Sequence, residues 1–316
     1  MRPAGSRNPN RCMLPADKSQ TRFFMIRRIF VALFLLASIC AGAGGCAEPS
    51  KSSQTIYVSI LPLRTLVYGI VGDDFPIEVL VPSGASPETF EPSARQFAAL
   101  KEAQLVFNVG LIDFEQTLLS KMAEPEKTVN LSEGIDLIEG CCSHGTHAAC
   151  GDGTHRHGVD PHVWTSPRAL RRMADNAYAA IRRIWPDSTK YAANHARLVA
   201  EIDRLDERVR TEIAESGTTR FMIFHPALTY YANDYGIRQI AVEQEGKEPS
   251  AKRLAALIRQ VREEGIDRIF YQRQFPRSTV EAIARDMGAE PVEIDPLRED
   301  VLDNILVITE SICGKR

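Results

Sequence analysis

Apolar residues recur along this chain at two different spacings, which predict strands and helices in alternation. In "TIYVSILP" every second residue is apolar, at Ile56, Val58 and Ile60, as in a β-strand. Helical spacing follows in "LRTLVYGIVG". The unit then recurs, with "PIEVLV" and "AQLVFNVG" as predicted strands and "SARQFAALKE" and "FEQTLLSKMA" as predicted helices. This alternation indicates a parallel sheet with helices on both faces.

The second half of the chain repeats the pattern. Its predicted strands are "RFMIFH", "IRQIAVE", "DRIFYQ" and "EPVEID", and helical patterns begin near Ala227, Ser250, Arg277 and Glu299. We therefore expect a second α/β lobe with its own parallel sheet.

A strongly amphipathic segment lies between the two halves. Its apolar residues follow one another at steps of three and four, with charged residues on the opposite face: Leu198, Ile202, Leu205, Val209 and Ile213. A helix from about Lys190 to Glu215 would be about 37 Å long at 1.5 Å per residue, enough for a rigid spine that joins two lobes. An ordinary helix inside one continuous sheet is the alternative.

The N-terminal segment has the pattern of a secretory signal. Two arginines precede the uncharged run "IFVALFLLASICAGAGGC", which is shorter than the about 20 apolar residues of a spanning helix. Its ending, "AGGC", resembles a bacterial lipoprotein signal with Cys46 as the lipidated first mature residue, although Ala43 stands where leucine is usual. A plain cleaved signal is the alternative, and Met1 and Met25 are both candidate starts.

These patterns predict five segments along the 316 residues. They are a signal at 1–45, a tether at 46–54, an N-terminal α/β lobe at 55–186 with a His/Cys-rich loop at 139–159, a spine helix at 187–216, and a C-terminal α/β lobe at 217–316.

The charge of the chain excludes one class of partner. The formal net charge is −3 and the basic residues are dispersed among acidic ones. A nucleic-acid-binding protein usually carries a basic patch, so we expect no nucleic-acid partner.

One short segment concentrates potential metal ligands. "CCSHGTHAACGDGTHRHGVDPHVW" contains five of the seven histidines and three of the seven cysteines. Thiolates and imidazoles are the usual ligands of zinc. In an oxidising compartment, however, Cys150 can also pair with Cys141 or Cys142 in a disulfide, and the residues alone leave both possibilities open.

Polar residues also follow several predicted strands, where ligands bind in open α/β sheets. They are Glu88 in "SPETFEP", His225 in "FHP" and Asp295 in "DPL"; His162 in "DPHVW" lies in an extended stretch just before a helix that starts near Ser166. Two imidazoles and two carboxylates suit a divalent first-row metal such as zinc, manganese or iron. Each residue also has a simpler explanation: local hydrogen bonding for the histidines, solvation for Glu88, and a turn or helix cap for Asp295.

From about Ile56 to the C-terminus, the chain resembles the zinc/manganese-type (cluster A-I) solute-binding proteins of bacterial metal ABC importers. The matching stretches, in order, are "GASPETFEPSARQFAALKEAQLVFNVG", "DPHVWTSP", "FHPALTYYANDYGI", "EGKEPSAKRLAALI" and "EIDPL". The resemblance implies two lobes joined by a spine helix, with the metal in the cleft between them. It places His162, His225 and Asp295 at ligand positions and Glu88 where most members have histidine.

A second departure from the family pattern is "YQRQF", Tyr271 to Phe275, where many relatives carry a Glu-Pro-Gln-Phe-like stretch. We expect Gln272 or Gln274 either to orient a metal ligand or to pack at the end of the strand. The acidic residues near the matching motifs are expected to be surface residues or partners of the ligands: Glu91, Glu243 and Glu245.

The resemblance also implies a function. Such a protein captures a divalent ion and docks on an ABC permease; we expect a monomer in the periplasm or cell envelope, held to a membrane by a lipid anchor. The density of thiols and imidazoles favours zinc over manganese. The loop residues expected to contact metal as accessories are Cys141, Cys142, His144, His147, Cys150, His155 and His157.

Other functions remain open at this point. A manganese- or iron-specific protein of the same family, and a periplasmic metal buffer or adhesin without a transporter, would use the same residues. A zinc hydrolase is disfavoured, because the chain has no HExxH motif. Four protein ligands would also leave no open position for a catalytic water, so we expect no enzymatic activity.

Overall fold

A computed structural model describes residues 54–119, 121–122, 124–139, 158–243 and 249–315. The predicted signal, Cys46 and most of the tether lie outside these ranges, as do residues 140–157 of the His/Cys-rich loop. Among the described residues, no helix is both long enough and apolar enough to cross a membrane.

Four short parallel strands form the first sheet. They are β1 (Ile56–Val58), β2 (Ile77–Val79), β3 (Leu105–Asn108) and β4 (Thr128–Asn130), in the order β2-β1-β3-β4. The first three correspond to predicted strands. Strand β4 was not predicted, because three partly exposed residues at a sheet edge are too few to show a period.

The helices of this lobe occupy the predicted segments. They are α1 (Leu61–Val71), α2 (Ala94–Lys101) and α3 (Asp113–Leu119). Ser93 begins α2 with a capping box, in which its hydroxyl accepts from the Gln96 main-chain N–H and the Gln96 side chain accepts from the Ser93 N–H.

Two longer helices follow, α4 (Pro167–Ile184) and α5 (Thr189–Ser216). The hydroxyls of Ser166 and Ser188 cap their first turns, and α5 ends at Gly217 in the left-handed conformation. Helix α5 corresponds to the predicted amphipathic segment and packs against α1, α4 and, near the C-terminus, α9 (Val301–Ile312). Its buried residues include all five that defined the apolar face.

The second sheet has the strand order of the first. Its parallel strands are β5 (Arg220–Ile223), β6 (Arg238–Ala241), β7 (Arg268–Gln272) and β8 (Glu290–Ile294), in the order β6-β5-β7-β8. Its helices are α6 (Thr229–Tyr235), α7 (Ala251–Glu264), α8 (Arg277–Met287) and the helix α9 already named. All four strands coincide with predicted ones.

Two apolar clusters form the core of the described residues, and the larger one joins the two lobes. The larger cluster runs from the first sheet through α4 and α5 to one face of the second sheet, and the smaller covers the other face of that sheet under α7 and α8. The predicted fold class, two α/β lobes with parallel sheets and a long connecting helix, is therefore confirmed. In each sheet the strand order reverses beside the strand that comes first in the chain, β1 or β5. Open α/β sheets bind ligands at such switch points.

Candidate metal centre

Three predicted ligands come together at the carboxyl ends of the strands. Glu88 lies in the loop that follows β2, His225 lies two residues after β5, and His162 directly precedes a short helical turn at Val163–Thr165. One carboxylate oxygen and two ring nitrogens lie within 4.8 Å of one another. The two histidine side chains are only 11% and 12% exposed, whereas Glu88 is 41% exposed.

The distances within this group suit a small metal ion. The Nε2 atom of His225 lies 3.0 Å from Glu88 Oε1 and 3.4 Å from His162 Nε2, and Glu88 Oε1 lies 3.9 Å from His162 Nε2. Donors on a tetrahedral zinc ion, with bonds of about 2.0–2.1 Å, are separated by about 3.3 Å. The three donors can therefore share one ion after small shifts of Glu88.

A buried carboxylate orients each imidazole. Asp160 Oδ1 lies 2.8 Å from His162 Nδ1 and also accepts the His162 main-chain N–H at 2.9 Å. Glu243 Oε2 lies 2.9 Å from His225 Nδ1. Because an ionised carboxylate only accepts hydrogen bonds, each Nδ1 carries a proton, and Nε2 is the nitrogen that can bind a metal once it is unprotonated.

The charges of the group are coupled. Burial lowers the pKa of His225, but hydrogen bonds to Glu243 and Glu88 outweigh it and raise the pKa to about 9. The hydrogen bond from His225 lowers the pKa of Glu88 despite burial, which acts in the opposite direction. Burial raises the pKa of Asp160, yet the hydrogen bond and charge of His162 lower it overall. His225 is therefore an imidazolium at neutral pH, with Glu88 accepting from its Nε2 and Glu243 from its Nδ1.

Asp295 lies outside this three-residue group. It follows β8 directly; its Oδ1 accepts the main-chain N–H of Leu297 at 3.1 Å, and its Oδ2 lies 3.8 Å from Arg273 Nη1. Its neighbours Pro296 and Leu297 line the same cavity as the three clustered residues. The assignment of Asp295 as a fourth ligand stays a prediction.

Apolar groups surround the donors in a cavity of about 40 Å³. The Phe275 ring stacks on His225 with centroids 5.4 Å apart, and the Trp164 indole N–H donates to the Pro296 carbonyl at 3.0 Å. The second contact joins the turn after His162 to the loop after Asp295. Apolar walls lower the local dielectric constant and so strengthen the attraction between a cation and its carboxylates.

Of the two carboxylates that partner the ligands, Glu243 matches one of its two sequence-based alternatives and Asp160 was not predicted. Glu243 was expected to be either a surface residue or a ligand partner, and the structure buries it against His225. Asp160 was not singled out, although its position two residues before His162 in "DPH" was an available signal. Glu91 is exposed, and Glu245 lies outside the described residues.

The accessory loop ligands lie outside the described residues: Cys141, Cys142, His144, His147, Cys150, His155 and His157. At the base of this segment, Glu139 and Val159 form an isolated antiparallel bridge. The bridge brings the two described ends of the loop together one residue before Asp160. The metal-contacting role of the loop, and the alternative of a disulfide, stay predictions.

Comparisons with known proteins identify relatives of this chain. The chain is 27% identical over 277 residues to the high-affinity zinc uptake system protein ZnuA of Bacillus subtilis (strain 168), covering 85% of this chain and 87% of that protein. It is 25% identical over 272 residues to the zinc-binding lipoprotein AdcA of Streptococcus pneumoniae serotype 4, covering 83% of this chain and 54% of that protein, so it spans about half of AdcA.

A solved structure supports the same relationship. A crystal structure of ZnuA superimposes with a TM-score of 0.73 at 33% identity and covers 83% of this chain and 98% of that chain. Residues 56–305 match the family model ZnuA, described as zinc-uptake complex component A, periplasmic. The chain therefore belongs to the ZnuA family of metal-binding solute-binding proteins.

Proposed function

We propose that this protein captures Zn²⁺ outside the cytoplasm and delivers it to an ABC permease for import. The observation that carries the proposal is the convergence of Glu88, His162 and His225 on one point, with both imidazoles presenting Nε2. Family membership and the name of the Bacillus subtilis relative, a high-affinity zinc uptake system protein, support it.

The proposed ligands are Glu88, His162, His225 and Asp295. Capture begins when the ion replaces the proton on His225 Nε2. The ion then also binds the Glu88 carboxylate, which accepted a hydrogen bond from that proton. Asp295 completes the set by leaving the Leu297 N–H and the Arg273 guanidinium, 3.1 and 3.8 Å away. Two carboxylates neutralise the charge of a divalent ion, while the imidazoles supply directional donors.

A binding role accounts for this donor set better than catalysis does. Structural zinc sites have four protein ligands, whereas a catalytic zinc has three protein ligands and a water or substrate in the fourth position. We therefore propose that the chain is not an enzyme, in keeping with a family of transport components.

We also propose that the protein acts at the outer face of a membrane. Cys46 is the lipid-anchored first mature residue, residues 1–45 are the signal, and 46–54 are the tether. The lobes at 55–186 and 217–316, joined by 187–216, form a monomer that docks on the permease. The lipoprotein name of the pneumococcal relative supports the anchor. Residues 139–159 bind zinc transiently through the cysteines and histidines named above.

Titration of the purified, metal-stripped protein tests the proposal. We expect one Zn²⁺ per chain at the core site and tighter binding of Zn²⁺ than of Mn²⁺ in competition with a chromophoric chelator. Tighter Mn²⁺ binding would overturn the choice of zinc, and binding of neither ion would overturn the function. Deletion of the gene should slow growth in zinc-depleted medium and reduce zinc uptake; normal uptake would favour a metal buffer.

A further inference from the structure

Two amide groups in the metal cavity have incomplete hydrogen bonding. The Gln272 Oε1 and Gln274 Nε2 atoms are both buried, and neither has a hydrogen-bond partner within the described ranges. Gln272 is only 3% exposed, and both side chains line the cavity together with Glu88, His162 and His225. Buried polar atoms without partners are rare and costly, so these two atoms indicate what the cavity is built to hold.

The orientation of the Gln272 amide is fixed by its neighbour. Gln272 ends β7, which pairs with β5 at the switch point of the second sheet, and its Nε2 donates to the main-chain carbonyl of His225 at 2.8 Å. Because a carbonyl oxygen only accepts hydrogen bonds, the nitrogen must face it. The oxygen at the other end of the amide is left as an acceptor without a protein partner.

A metal-bound water fits the properties of this acceptor. The oxygen lone pair of such a water is directed at the ion, so the water can only donate hydrogen bonds to the protein. Of the two incomplete amide atoms, only Gln272 Oε1 accepts, whereas Gln274 Nε2 donates. The cavity of about 40 Å³ also exceeds the roughly 10–15 Å³ that one water requires.

We propose that Gln272 is a specificity-determining residue, whose amide oxygen accepts a hydrogen bond from a water molecule that stays on the captured ion. This inference rests on the proposed function, because it requires an ion held by Glu88, His162 and His225. A retained water raises the coordination number above that of a closed four-ligand zinc site. It therefore favours ions that take additional oxygen ligands, such as Mn²⁺, and moderates the preference for Zn²⁺.

Substitution of Gln272 by methionine tests the proposal, with Co²⁺ as the probe. Four-coordinate Co²⁺ absorbs visible light much more strongly than five-coordinate Co²⁺, so the spectrum reports whether the water is kept. We expect the Co²⁺-loaded Gln272→Met protein to absorb more strongly than the unsubstituted protein. The affinity of this variant for Mn²⁺ should fall about tenfold, and its affinity for Zn²⁺ should change less. About tenfold is the lower end of the loss in affinity when a metal ligand loses its hydrogen-bond partner.

Two further variants separate the acceptor from other roles of Gln272. Gln274→Met makes the same change in the same cavity but removes a donor, so its Co²⁺ spectrum should stay as in the unsubstituted protein. Gln272→Glu keeps an oxygen acceptor but loses the donor to the His225 carbonyl, and it should also keep the unsubstituted spectrum.

Three outcomes would overturn the inference. They are a strong four-coordinate spectrum in the unsubstituted protein, a Gln274→Met change as large as that of Gln272→Met, and a Gln272→Glu spectrum that matches Gln272→Met. The last would show that Gln272 acts only by supporting His225. Failure of the unsubstituted protein to bind Co²⁺ or Zn²⁺ would instead contradict the proposed function itself.

Discussion

His225 Nδ1 lies 2.9 Å from the Glu243 carboxylate, and both side chains are largely buried. The two residues are 18 positions apart in the chain. They become neighbours because Ile223 on β5 pairs with Ala241 on β6, and each residue follows its strand partner by two positions. The carboxylate accepts the Nδ1 proton, so Nε2 faces the cavity where Glu88 and His162 converge.

We expect Glu243→Ala to weaken Zn²⁺ binding by about 10–100-fold, as loss of a carboxylate partner of a metal-binding histidine typically does. Glu243→Gln should have a smaller effect, because its amide oxygen still accepts the Nδ1 proton although the charge is lost. Competition with a chromophoric chelator measures both affinities.

Asp175→Ala provides a matched control for this prediction. Asp175 pairs with His195 at the same 2.9 Å distance, yet neither residue lines the metal cavity. Zinc affinity in this variant should be unchanged. An equal loss of affinity in Asp175→Ala and Glu243→Ala would show that the effect of Glu243 is general and does not act through His225.

The partnership of Glu243 with His225 shows where the sequence was insufficient. Glu88 and His225 could be named as candidates because they follow recognisable strands, and His162 because it lies in a recognisable motif; only the family resemblance implied that the three share one site. The contact between His225 and Glu243 depends on the register of two strands, which periodicity does not reveal. Strand β4 was missed for a related reason, since a three-residue edge strand has too few positions for a pattern.

The position of Asp295 depends on tertiary contacts in the same way. The sequence placed it after a strand and in a ligand motif, and both placements are local. In the structure the Asp295 carboxylate contacts Arg273 and the Leu297 N–H. The strand pattern does not specify these contacts, so it cannot predict whether the carboxylate faces them or an ion.

Zinc affinity should depend on pH through His225. Its pKa is about 9, so at pH 7 the ion must displace a proton from this residue. Affinity should therefore increase as pH rises from 7 towards 9, by up to about tenfold per pH unit for one displaced proton. Calorimetry at pH 7 in buffers with different ionisation enthalpies should report about one released proton per ion. Binding enthalpies that do not depend on the buffer would contradict this.

The same pKa predicts how pH affects the metal-free fold. The folded pKa of His225 is raised from 6.5 to about 9, so its protonated form stabilises the folded state. This contribution is complete below pH 6.5 and is lost as pH rises through about 9. Urea unfolding of the metal-free protein should therefore show stability falling over this range, and the fall should be reduced in His225→Ala. An identical pH profile in the two proteins would exclude His225 as the source.

The core ligands should matter far more to affinity than the histidines of the loop. We expect His225→Ala or Asp295→Ala to weaken Zn²⁺ binding by more than about 100-fold, beyond the range for an outer partner. The double replacement of His155 and His157 by alanine should change the zinc affinity of the core site by less than about threefold. This is smaller than the effect of losing the hydrogen-bond partner of a ligand. Chelator competition compares the variants. Comparable losses would overturn the assignment of the core ligands.

Glu115 stabilises the loop between β3 and α3, at the edge of the metal cavity. This fully buried carboxylate accepts the main-chain N–H groups of Val109, Gly110 and Ile112 at 3.0, 2.7 and 3.3 Å, and Ile112 lines the cavity. Gly110 adopts φ 79°, and a Cβ there would lie 2.4 Å from the Asn130 side chain. Since this close approach leaves the loop little freedom to rearrange, the three N–H groups depend on Glu115.

Glu115→Ala should lower the free energy of unfolding by about 3 kcal/mol or more, because it leaves several amide groups unpaired at about 1–3 kcal/mol each. Glu115→Gln keeps one acceptor oxygen, so its free energy of unfolding should fall less. This variant should remain folded even if the alanine variant does not. Gln116→Ala, at an exposed position of the same helix, removes only a 3.5 Å hydrogen bond from its side-chain amide to the Gly110 carbonyl. It is the control and should change stability by less than about 0.5 kcal/mol. Urea denaturation of the metal-free proteins measures the three values. If Glu115→Gln and Gln116→Ala are equally stable, the loop is held by its packing and the carboxylate is dispensable.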